Sequence, residues 1–129
     1  MIRSIAVALT FLLALTAWAE NVTWKSKRGL FVATYDSELD PISINQLHSW
    51  VLHIEDANGE AVTGARIVAD GGMPEHDHGL PTRPRITAEL GDGAYRLDGL
   101  RFHMRGDWEV TLTIDANGVS DTVTVKLTL

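Results

Sequence analysis

Cysteine is absent from the 129-residue sequence, which closes off both a disulfide framework and a thiolate metal site. Proline is scarce, with four residues at 41, 74, 81 and 84, and three of these fall inside the stretch Asp70 to Pro84. Basic side chains are outnumbered, eleven against seventeen acidic ones, and form no stripe. That balance lacks the footprint of a nucleic-acid binder. After Trp18 no apolar run approaches the roughly 20 residues that cross a bilayer as a helix. There is no nucleophile elbow, phosphate-binding glycine loop or Cys–His pair, so no enzyme is expected.

What is present begins with an export signal. Arg3 is the one charged side chain before an apolar run from Ile5 to Leu15 that only Thr10 interrupts. Ala17-Trp18-Ala19 then offers small residues at the two positions that a signal peptidase accommodates, with Glu20 following. The run is short for a bilayer span, so cleavage is expected, with membrane attachment only if the cut is not made. No cysteine follows it, which excludes a lipoprotein. Removal of nineteen residues from 129 leaves 110, a single domain at residues 20–129. The loss of Arg3 leaves ten basic against seventeen acidic side chains, a formal charge of −7.

The remainder reads in period two, the period of strands. From Gln46 to Glu55, His48, Trp50, Leu52 and Ile54 face one way while Ser49, Val51, His53 and Glu55 face the other. Further strands are expected at Gly29 to Tyr35, Gly64 to Ala69, Arg85 to Leu90, Ala94 to Leu97, Trp108 to Ile114 and Val119 to Leu127. Asn58-Gly59, Gly91-Asp92-Gly93 and Ala116-Asn117-Gly118 supply turns. About seven short strands at this spacing predict an all-β antiparallel sandwich of immunoglobulin-like type. Trp50 and Trp108 are expected in its core and Tyr95 at a hydrogen-bonded corner. Asp70 to Pro84 is expected to be a long loop.

That loop carries the chemistry. After cleavage only two methionines remain, and each is close to histidine: Met73 three residues before the pair His76-Asp77-His78, and Met104 directly after His103. A core needing only volume has Leu, Ile and Val to draw on. Thioether sulfur suits copper(I), and imidazole suits copper in either oxidation state. His76 and His78 are two apart, so in extended chain both rings point to one side. Prolines 74, 81 and 84 reduce the entropy lost when such a loop closes around an ion. A histidine–carboxylate zinc site also remains open, with Glu75 and Asp77 adjacent. His103 and Met104, as neighbours, would face opposite ways in a strand. The simpler reading of Met104 is packing at the sandwich edge, of His48 a partly buried strand-end residue, and of His53 an ordinary surface residue.

The sequence from Gly29 to Leu127 resembles the YtkA-like/FixH-like family of small bacterial envelope domains. The resemblance rests on His48-Ser49-Trp50, Gly59, the run Gly72 to Thr82, Gly93-Ala94-Tyr95, and Phe102-His103-Met104-Arg105-Gly106-Asp107-Trp108. It implies a periplasmic immunoglobulin-like or cupredoxin-like β-sandwich tied to copper handling or oxidase assembly, with an envelope copper protein or an assembly factor as partner. It also implies that Met73, His76, His78 and Met104 occupy candidate ligand positions, with His48 and His103 as possible additions. FixH-type proteins keep a membrane anchor, whereas this sequence carries a cleavage site. Three functions compete: copper carriage or buffering, a metal-free immunoglobulin-like interaction module of the envelope, and, more distantly, a hydrolase with a histidine–carboxylate metal site.

Overall fold

Alternation along the chain decides which face of each strand is buried, and two antiparallel sheets result. The computed structural model describes residues 21–129, so the export signal expected at residues 1–19 lies outside the described residues. The first sheet contains β1 (Trp24–Lys25), β2 (Phe31–Ser37), β3 (His48–Asp56), β6 (Arg85–Gly91) and β7 (Ala94–Leu100), in the order β1-β2-β3-β7-β6. The second contains β4 (Arg66–Met73), β5 (His78–Gly79), β8 (Asp107–Ala116) and β9 (Val119–Thr128), in the order β5-β4-β8-β9. Among the described residues there is no α-helix; a single 3₁₀ turn, Pro74–His76, follows β4. The chain is an all-β sandwich. Seven strands have seven or more residues, and the two-residue β1 and β5 are additions to the seven expected.

The inward face of β3 is His48, Trp50, Leu52 and Ile54, all buried, as the period-two reading requires. It meets Trp108, Val110, Leu112 and Ile114 of β8, which alternate in the same way. Each such side chain withdrawn from water contributes roughly 1.5–3 kcal/mol. Tyr95 closes a corner: its hydroxyl donates to the Val62 carbonyl at 2.6 Å and accepts from the Ala65 amide at 3.1 Å.

β4 departs from expectation. It continues through Gly71 and Gly72 to Met73 rather than ending at Ala69, so the first residues of the expected loop are strand. The glycines are there for space. A Cβ at Gly71 would lie 2.6 Å from the Glu109 carbonyl oxygen on β8, and one at Gly72 would collide with the His78 carbonyl on β5. Glycine inside a strand often marks such close backbone approach.

Because every long strand is antiparallel to its neighbour, the two ends of the sandwich differ. One end carries the tight turns at residues 57–59, 91–93 and 116–118. The other gathers the segments 38–47, 74–84 and 101–106. All six candidate ligands lie at this second end.

Candidate metal site

Pairing of β4 with β5 sets Met73 directly opposite His78, and opposed residues on antiparallel strands project to the same side. Met73 is in the core, 1% exposed. Its methyl group packs where a Cβ of Gly106 would sit, 2.6 Å away. His78 is exposed on β5, the two-residue edge strand of the second sheet. Asp77, in the left-handed region at φ 51°, turns the chain between the 3₁₀ turn and β5.

This hairpin brings histidines from two segments together. The His76 and His78 rings lie 6.5 Å apart, centroid to centroid, and His78 meets His103 edge-on at 6.1 Å. His103 rests in turn against Trp108 at 5.5 Å. Residues 101–106 form a loop rather than a strand, which frees His103 and Met104 from the opposite-face rule. Met104 is 38% exposed, and its carbonyl accepts a hydrogen bond from the Trp108 indole at 3.0 Å. The backbone of this loop is therefore fastened to the core while the thioether faces solvent.

His48 stands apart from that row. It is buried at 3% exposure among Trp50 and Phe102, with ring centroids at 6.5 and 5.8 Å. Its Nδ1 lies 3.0 Å from the Gln46 carbonyl, to which it donates, leaving the Nε2 lone pair buried without a partner among the described residues. Nδ1 of His103 is likewise buried and unpartnered. A buried polar atom without a hydrogen bond costs roughly 1–3 kcal/mol, so two imidazole nitrogens at one end are a concentrated deficit. His53, the fifth histidine, lies elsewhere on the surface and pairs with Asp36 at 2.9 Å.

Among the described residues, no three histidine, cysteine or carboxylate side chains are close enough to hold an ion as they stand. Two imidazoles sharing one ion at a metal–nitrogen distance of about 2.0 Å have centroids about 5–6 Å apart. The spacings of 6.5 and 6.1 Å are slightly wider. The donor set of the row, three imidazoles, is of the kind that copper accepts, and Met104, the residue after His103, adds an exposed thioether to the same loop.

The supporting residues were not visible as such in the sequence. Gly72 and Gly106 make room for the hairpin and for Met73, and Trp108 is the floor beneath His103. The doublet Gly71-Gly72 just before Met73 was the available signal. A family model for YtkA-like proteins matches residues 29–113, which takes in every candidate ligand. No curated protein and no solved structure matches the chain.

Proposed function

The chain belongs to the YtkA-like family, and from that premise we propose that it is an exported copper-binding protein that carries or buffers the ion in the cell envelope. The observation that carries this reading is the row His76, His78 and His103, ending on a buried ring nitrogen that has no hydrogen-bond partner among the described residues. Copper(II) is held through the imidazoles. Copper(I) also takes the thioether of Met104, and Met73 lies beneath His78 as a buried sulfur. An open, partly solvent-facing set of ligands suits a carrier, which must give its ion up to a partner.

Titration of the purified protein with each oxidation state against a competing chelator tests the reading. The expected result is stoichiometric uptake. His76→Ala with His78→Ala abolishes copper(II) binding, and Met104→Ala chiefly weakens copper(I). Met73→Leu, which keeps the core filled, separates a buried ligand from a packing residue. If copper affinity is unchanged in all of these variants, the row is not the site. The interaction-module reading then takes over, and the exposed Leu47 at the same end of the sandwich is the feature that favours it.

A further inference from the structure

Trp108 is the start of a second row of rings that runs inward from the histidines. It meets Phe102 edge-on at 5.2 Å, Phe102 lies 6.2 Å from Trp50, and Trp50 stacks on Tyr35 at 4.0 Å with the planes 15° apart. Together with His103 on Trp108 and His78 on His103, the contact is unbroken from the candidate metal site across the core. Tyr35 ends the row in a groove of about 530 Å³ that Asp36, Asp40 and Lys126 also line.

We infer that this row is an electron route, by which Tyr35 refills an oxidising vacancy created at the histidine site. The inference rests on the copper reading for its physiological oxidant. Were reduced copper held by these imidazoles, it would supply one electron to hydrogen peroxide; the O–O bond would break, giving hydroxide and a hydroxyl radical as the ion became copper(II). An electron from Trp108 reduces that radical to a second hydroxide before it attacks an imidazole. Trp50 refills Trp108 across the Phe102 ring, and Tyr35 refills Trp50. Tyr35 loses its phenolic proton to water in the groove and becomes a neutral phenoxyl radical. The proton and one hydroxide make water, and a hydrogen-atom donor in solution, such as a thiol, restores the phenol.

Three features favour passage over trapping. The Trp50 indole N–H is buried with no acceptor among the described residues, so an oxidised Trp50 cannot shed its proton and passes the vacancy on. The Trp108 N–H faces only the Met104 carbonyl, a weak base. Tyr35 is the first ring in the row that combines a dissociable proton with access to solvent. The chain's other tyrosine, Tyr95, is buried at the tight-turn end, bonded to a backbone carbonyl and outside the row.

A ruthenium diimine photosensitiser coordinated to His78, with His53→Gln and His76→Gln directing the label, supplies the oxidant without copper. Flash oxidation of the labelled protein should produce a tyrosyl radical in transient absorption and electron paramagnetic resonance. Tyr35→Phe should abolish that signal and leave a longer-lived tryptophan radical. Trp50→Phe, which keeps a ring in place, should abolish it too and strand the vacancy on Trp108. A tyrosyl signal that survives Tyr35→Phe belongs to Tyr95 and overturns the route. Full tyrosyl yield in Trp50→Phe, or a vacancy that never leaves Trp108 in the otherwise unaltered protein, overturns it as well. Because ruthenium replaces copper here, a failure of copper uptake and a failure of this route are separate results.

Discussion

At one end of the sandwich two hairpins close within two residues and a turn at 57–59 opens the crossing to the second sheet; at the other, segments of six to eleven residues separate the long strands. Glycine supplies conformation and room, and at Gly93 and Gly106 it supplies both. In the tight turns it supplies conformation: Gly91, Asp92 and Gly93 all have positive φ, as do Asn117 and Gly118. At the loop end Gly71 and Gly72 supply room, because neighbouring backbone lies where their Cβ atoms would be. The tight end is also chemically closed. Asp56 accepts from the Asn58 and Glu60 amides, and the Tyr95 hydroxyl is fully engaged. The loop end leaves imidazole nitrogens without a partner among the described residues. Stability is concentrated where hydrogen bonds are complete, and binding capacity where they are not.

The largest effect should come from cutting out the floor shared by the core and the loop end. Trp108→Ala removes a fully buried ring that supports His103 and holds the Met104 carbonyl, and should lower unfolding stability by about 3–5 kcal/mol in urea denaturation. A loss below about 1 kcal/mol would mean that the ring is not part of the core. Gly72→Ala separates the ends more cleanly. Its new Cβ strikes the His78 carbonyl on a two-residue strand at the sheet edge, which yields more easily than a central strand. Stability should fall by about 1 kcal/mol, while copper(II) affinity falls markedly as His78 is displaced. Equal copper affinity in this variant would break the link between the hairpin and the site.

The smallest effect is confined to acid and belongs to the tight end. Burial raises the pKa of Asp121, but hydrogen bonds from the Ser26 hydroxyl and the Thr122, Arg28 and Leu30 amides outweigh it and hold the carboxyl at about 2, below its ordinary 3.8. A folded pKa below the unfolded one adds stability above pH 3.8, and this is lost as pH falls toward 2. Asp98 behaves likewise on the outer face of the first sheet, where Ser49, Thr87 and Arg96 donate to it and hold it at about 2. Unfolding midpoints measured between pH 5 and pH 2 should decline less steeply in Asp121→Asn than in the parent protein. An identical decline would remove Asp121 from the account.

The fold was legible wherever burial alternates. His48 to Ile54 declared its inward face because only one side of that strand meets the other sheet. The tight turns were legible because positive φ restricts the residues that can occupy them. The extension of β4 was not, since glycine placed for space is indistinguishable in sequence from glycine placed for a loop. The grouping of the ligands was legible only in part. Spacing along the chain put His76 beside His78, but the contact of His78 with His103 spans two loops and depends on β4 lying next to β8. Met73 shows the other difficulty. A thioether satisfies a core and a copper ion equally well in sequence, and only its place under Gly106 reveals how deeply it lies.

The Asp121 cap has a consequence for the order in which the molecule can be completed. β1 pairs with β2, yet Ser26 also bridges Val123 of the other sheet, Lys27 donates to the Thr122 carbonyl, and the Arg28 amide donates to Asp121, 93 residues further on. The clasp therefore joins the earliest described strand to the last. As the polypeptide emerges from the ribosome, β2 and β3 can pair as soon as both exist. β1 cannot be fastened to its second partner until residues 121–123 follow, so the side of the sandwich nearest the start of the described chain should be the last to close.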